Sequence, residues 1–256
     1  MDYNFLGHVA SDIGVDQQFL PPHNFETQEH INAIAEWTDK NLMKLNPAKC
    51  NYMLFTRAKT QFSTRLSIKD FVIDRVPFMK ILGVWISEDM SWAKNCQQIC
   101  RKAYSRLSMI TKLKYVGVPQ KDLIDIYILF IRSVTEYCSA SFHSSLTKGQ
   151  SNKLEKIQKT CLKVILGDHY IDYPSALEVC NLQTLSERRA SRCLSFAKKS
   201  INHPTNNRLF PKNPNSNIHS IRKHEPFKVN FARTSEYRKS TIPYCQRLLN
   251  EHFSEQ

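Results

Sequence analysis

Six basic residues, Lys94, Arg101, Lys102, Arg106, Lys112 and Lys114, fall between positions 94 and 114 with no acidic residue among them. Lysine and arginine spaced in this way can neutralise phosphates along a nucleic-acid backbone without reading its bases. A second basic series, Lys156, Lys159 and Lys163, recurs at intervals of three and four. A solvated helix face is the plainer reading of either series. Catalytic chemistry finds less to work with. The chain has no adjacent Asp-Asp pair and no HExxH, and His143, His169, His203, His219 and His224 are scattered. Its eight cysteines form no CxxC pair, and Cys96 and Cys100, one helical turn apart, have no histidine nearby to complete a zinc site.

Helices must position the basic residues. Cys96, Ile99, Cys100, Ala103, Leu107, Ile110 and Leu113 recur at three and four and define one apolar stripe. Lys94, Arg101 and Lys112 project opposite that stripe, while Lys102 and Arg106 flank it. Gly117 is the expected C-terminal cap and Pro119 opens the next helix. That second helix should face inward with Leu123, Ile126, Tyr127, Phe130, Ile131 and Val134. A third is expected with Leu154, Ile157, Cys161, Val164 and Ile165 inward, its lysines at 156, 159 and 163 outward, and Gly167 past its end. Thr184 with Glu187 three residues on predicts the capping box of a fourth. From about Ile201 the chain turns to Asn, Pro, Ser and His, and an extended arm is expected. Its Lys212, Arg222, Lys223, Lys228, Arg233, Arg238 and Lys239 alternate with Phe227, Phe231, Tyr237 and Tyr244, a pattern that suits phosphate pairing plus base stacking. A basic linker is the blander reading, and Tyr244 to Leu249 is apolar enough to dock back.

Earlier positions read differently. Glu26 to Leu45 predicts an amphipathic helix stopped by Asn46-Pro47. Tyr52 to Thr56 reads as a strand, and Arg65–Ile68 with Phe71–Ile73 as a hairpin around Lys69-Asp70. Phe78 to Ile86 is the most apolar β-like run of the first hundred residues and predicts a strand buried on both faces.

The net charge of +13 is unevenly placed. Residues 1–93 hold nine Lys/Arg against eleven Asp/Glu, a net of −2, and the remainder carries +15. A polyanionic partner is therefore sought in the second part. Cysteine spacing argues for buried reduced thiols rather than a disulfide framework. Met1-Asp2-Tyr3 starts without the basic and apolar regions of a signal peptide. Leu123 to Val134 contains Asp125 and Arg132 and is too short to span a bilayer. An intracellular protein, cytoplasmic or nuclear, is expected, with no membrane and no small-molecule substrate.

The segments LGVWIS-x-D-x-SW, around Gly83, and LNPAKCNYMLF at 45–55 resemble the end of the palm of non-LTR retrotransposon reverse transcriptases, of the jockey-like and CR-type groups. The likeness continues through KAYSRLSMITKLKYVGV, DLIDIYILFIRSVTEYCS, LEKIQKTCLKVILGD and TIPYCQRLLN, and so runs from about Thr27 to the end. It implies a primer-grip strand at Leu82-Gly83-Val84-Trp85, with Gly83 permitting close approach of the primer backbone. Beyond Lys94 it implies a thumb that grips template–primer duplex. It also aligns Lys49 with a lysine facing the phosphates of the incoming nucleotide, although a solvated turn lysine beside Pro47 is the simpler reading. The family's magnesium is held by aspartates that have no match in this sequence. No catalytic residue and no cofactor are therefore expected.

The expected fold is α+β: a small antiparallel sheet with one helix, then an all-α region and an extended basic arm. Residues 1–93 would be a truncated palm remnant, 94–200 a helical thumb-like domain and 201–256 the arm. The expected function is that of a truncated reverse-transcriptase fragment without polymerase activity. It would bind RNA or DNA, duplex or single-stranded, weakly and non-specifically. The alternative is a domesticated helical module that binds a protein partner.

Overall fold

Helix α1 (Asn24–Lys40) begins the part of the chain that the computed structural model describes, residues 24–55, 65–214 and 225–254. The expected strands 65–68 and 71–73 appear as a short antiparallel hairpin, β2 (Ser67–Ile68) and β3 (Phe71–Val72), while β1 (Asn51–Tyr52) pairs with β4 (Asp74–Arg75). That last pairing is parallel, so the single antiparallel sheet expected here is replaced by two separate two-stranded pairs. Ala35 of α1 packs with Leu66, Ile68 and Ile73. Gln28 fixes the register by donating to Ser67 O (2.8 Å) and accepting from Ser67 N (3.0 Å).

Phe78–Ile86 is not one strand. It folds into a hairpin, β5 (Phe78–Ile81) and β6 (Val84–Ser87), with Ile81 opposite Val84. Leu82 and Gly83 both have positive φ, and a two-residue turn with both φ positive matches the twist of the strands it joins. The hairpin belongs to the second of two compact units, Met1–Pro77 and Phe78–Gln256, so the division falls earlier than the expected 93/94. The reason is packing: Val84 is buried and β6 lies on the helix that follows.

The second unit is helical. α2 (Ala93–Tyr115) buries Cys96, Ile99, Ala103 and Ile110, four members of the expected stripe. Gly117 adopts φ +85 just past its end, and Val118 N returns to Leu113 O at 3.1 Å. α5 (Lys148–Leu166) runs against α2 and opens with a capping box of Thr147 and Gln150. α6 (Tyr173–Val179) has no counterpart among the expected helices. α7 (Leu185–Ile201) starts on the Thr184–Glu187 capping box as its sequence predicts.

Between α2 and α5 the chain forms α3 (Gln120–Ile126), a π-helical stretch (Tyr127–Arg132) and α4 (Ser133–Glu136) in unbroken succession. Leu123, Tyr127, Ile131 and Thr135 are all buried at a strict spacing of four. On an α-helix such a row drifts by roughly 40° per step and would leave the core. The wider π turn absorbs the drift. It also turns Phe130, expected inward, to half exposure.

The tail departs most from the extended arm expected, although Tyr244 to Leu249 docks as its apolar character suggests. α8 (Ser235–Lys239) and α9 (Thr241–Ser254) are helical, and α9 packs on α7. Phe210 and Phe227 are buried with Cys193, Ala197, Cys245 and Leu249. Two amides zip the intervening segment to α9. Asn250 accepts from Phe227 N and donates to Phe227 O, both at 2.9 Å, and Gln246 joins Leu209 O to Asn230 N, both at 2.8 Å. Among the described residues the arm is thus docked, and Phe227 is not free to stack on a base. Arg222 and Lys223 lie outside the described residues. The described residues are α-rich with small two-stranded sheets, an α+β fold with a helical region.

Candidate nucleic-acid interface

The β5–β6 turn is held from both sides. Tyr137, just after α4, donates its hydroxyl to Leu82 O at 2.7 Å, and Asn95 Oδ1 in the first turn of α2 accepts from Trp85 N at 3.2 Å. Gly83 has φ +88, and a Cβ there would come within 3.2 Å of Tyr137 Cε1. Gly83→Ala is therefore expected to lose about 1–2 kcal/mol from the left-handed backbone alone, plus the cost of displacing Tyr137. Gly117→Ala supplies the comparison, since its φ is +85 with nothing within 4 Å. Denaturant midpoints should show G83A the more destabilised of the two; equality would mean that the tyrosine does not brace the turn.

Arg106 on α2 donates to Phe130 O, a carbonyl of the π-helical stretch. Such stretches leave main-chain carbonyls open to partners outside the helix, and they recur at functional positions. Between the hairpin, α2 and α4 lies a cleft of about 410 Å³. Gly83, Asn95, Gln98, Lys102, Arg106 and Tyr137 line it, and no acidic side chain does. Asn95 Nδ2 is buried there without a hydrogen-bond partner.

Three of the expected binding residues, Gly83, Lys102 and Arg106, thus meet in one cleft. Lys94 instead lies over the Phe78 ring (5.1 Å to its centre) and the Trp85 ring (5.6 Å), capping the hairpin. Arg101 and Lys112 point outward from α2 and are exposed. Lys156, Lys159 and Lys163 are exposed on α5 but do not line the cleft. Lys159 sits over Tyr173 at 4.7 Å and Lys163 over Tyr170 at 5.2 Å, so this edge of α5 also covers aromatic surface. Lys49 ends a short 3-10 turn, Pro47–Lys49, in the first unit. Asn95, Gln98 and Tyr137 carry no motif or periodicity that singles them out.

A second charged cluster borders α4. Glu136 is only 3% exposed, and Arg188 and Arg192 of α7 both donate to it. Burial pushes its carboxyl up, but the hydrogen bond and charge of Arg188, followed by those of Arg192, outweigh burial and hold it below the usual carboxylate range. Elsewhere, the described residues bring no three His, Cys, Asp or Glu side chains together, and so offer magnesium no carboxylate set. No described helix is long and apolar enough to cross a membrane. Comparison with protein-family models gave no match, and neither the curated proteins nor the solved structures gave a significant one.

Proposed function

We propose that the helical unit binds the sugar–phosphate backbone of a nucleic-acid duplex without reading its sequence. The sequence resemblance to non-LTR reverse transcriptases supplies the frame, a hairpin at the primer and a thumb along the duplex. The observation that carries the reading is the acid-free cleft in which the Gly83 turn meets Lys102 and Arg106. Along α2, Lys94 to Lys112 spans roughly 27 Å, enough to pass about eight phosphates of one strand. Four or five contacts along that path give affinity in the range of non-specific binders. Such a partner is met inside the cell, where free thiols persist.

The experiment is electrophoretic retardation of a mixed-sequence duplex by the whole chain over a range of salt. A log–log slope of about −4 is expected for four or five contacts. Failure to retard the duplex even at low ionic strength would overturn the reading. Leu82, Leu129 and Phe130 favour a second one, because their exposures of 74%, 65% and 50% leave apolar side chains at the rim of this unit uncovered. A protein partner would bury them, and the complex would survive high salt while duplex binding stayed negligible.

A further inference from the structure

The arginines around Glu136 outnumber what one carboxylate can neutralise. Arg188 donates through Nε to Oε1 and through Nη2 to Oε2 at 3.0 Å. Arg192 brings Nε (3.1 Å) and Nη2 (2.7 Å) to Oε2, and Arg132 Nε lies 3.9 Å from Oε1. Three cations therefore face one anion, a local excess of two positive charges. No other acid pairs with these arginines among the described residues. Their side chains grade from 14% exposed at Arg132 through 25% at Arg188 to 52% at Arg192. The cluster opens to solvent on the Arg192 side and is fixed from beneath by a buried carboxylate.

A guanidinium carries more N–H donors than its share of one carboxylate can accept, and they lie in a rigid planar fork. Glu136 takes one edge of the Arg188 and Arg192 forks and leaves the rest of each pre-oriented. Like-charge repulsion adds to this. Burial lowers the Arg132 pKa first, and the charge of Arg188 lowers it further. An incoming anion would relieve that crowding. Tetrahedral oxyanions suit such a fan, because neighbouring oxygens can each take a paired N–H from a different arginine.

We propose that Arg132, Arg188 and Arg192, oriented by Glu136, form a phosphate-recognition site separate from the hairpin cleft. The inference does not need the duplex reading: it requires phosphate chemistry, whether from a nucleic-acid backbone or from a free phosphate. Glu136 is a positioning residue in it. Arg192 is the residue to change, because it is half exposed and its loss leaves the Arg188–Glu136 pair in place.

Calorimetric titration of the full chain with inorganic phosphate, at ionic strength held constant with chloride, tests it. Wild type should bind phosphate at least about tenfold more tightly than Arg192→Gln, the loss of one charge-assisted hydrogen-bond pair. Arg192→Lys keeps the charge without the fork and should fall between the two, with both variants melting near the wild type when phosphate is absent. The same proteins titrated with a short duplex identify the source. Weaker duplex binding by Arg192→Gln assigns the site to a backbone phosphate, and unchanged duplex binding, or none by any protein, assigns it to a free one. Phosphate binding that is absent in the wild type, or equal in wild type and Arg192→Gln, overturns the proposal. So does a lysine variant that matches the wild type.

Discussion

Replacing Arg101, Lys102 and Lys112 with glutamate is expected to flatten the salt dependence of duplex binding by about 3 log–log units. Each phosphate contact releases condensed counterions and contributes about −0.9 to the slope on B-form DNA, so three lost contacts leave little of the wild-type value. These three side chains are chosen because they are exposed and have no ion-pair partner among the described residues. Arg106 and Lys94 are left alone, since one donates to Phe130 O and the other lies over Phe78 and Trp85. Changing either would mix a charge effect with a structural one. Thermal midpoints of the variant should stay close to the wild type. A variant that unfolds with wild-type cooperativity but keeps its full salt slope would place the phosphates elsewhere than on α2.

Glu136→Gln should be the most destabilising of the single changes considered, at about 3 kcal/mol. Removing the only acid from a cluster of three arginines leaves their repulsion uncompensated, and the glutamine amide cannot accept both forks. The lower end of the usual range applies because Arg188 and Arg192 reach solvent. The pH dependence has a definite sign. The Glu136 carboxyl is held below its ordinary value when folded, so near that value the unfolded chain binds more protons at this position than the folded one. Its stabilisation is complete above the unfolded value of 4.5 and is lost as pH falls through the lowered folded value. Urea midpoints from pH 7 downward should therefore drop less below pH 4.5 in E136Q than in the wild type. Parallel curves would show that the carboxylate contributes nothing specific.

Helices α2, α5 and α7 were legible because their signals are local. Apolar spacing marks the buried faces, and Thr184 with Glu187, or Gly117 alone, marks an end within one turn. The hairpin was not legible, because Leu82 stands where a two-residue turn usually has asparagine or aspartate before glycine. What holds Leu82 in that conformation is Tyr137, a residue 55 positions away whose hydroxyl meets its carbonyl. The rest of the tail resembles an extended arm in sequence for a related reason. Gln246 and Asn250 look like surface residues in sequence, yet their amides bind the backbone of a docked segment. Of the site, charge type and helix face were visible in Lys102 and Arg106, whereas their meeting with Gly83 depended on tertiary packing. The arginine fan needed Glu136 to be buried, and nothing in its neighbours announces that.

The row Leu123, Tyr127, Ile131 and Thr135 has one more consequence, for how this stretch tolerates a change of length. Insertions and deletions are ordinarily disruptive in a helix, since each residue rotates everything beyond it by roughly 100°. Here the π-helical stretch already accommodates surplus chain between two elements with fixed partners, α3 in the core and α4, which carries Glu136 and leads into Tyr137. Removing one residue from 128–130 would let the hydrogen bonds relax to ordinary α geometry with α3 and α4 still in phase, so Glu136 would keep facing Arg188 and Arg192. A shortened chain would gain a more regular helix and keep both the brace on the hairpin and the hub of the arginines, whereas one residue added there would rotate both away. The surplus residue is thus dispensable to the register of the site while a further one is not, so length at this point is constrained on one side only.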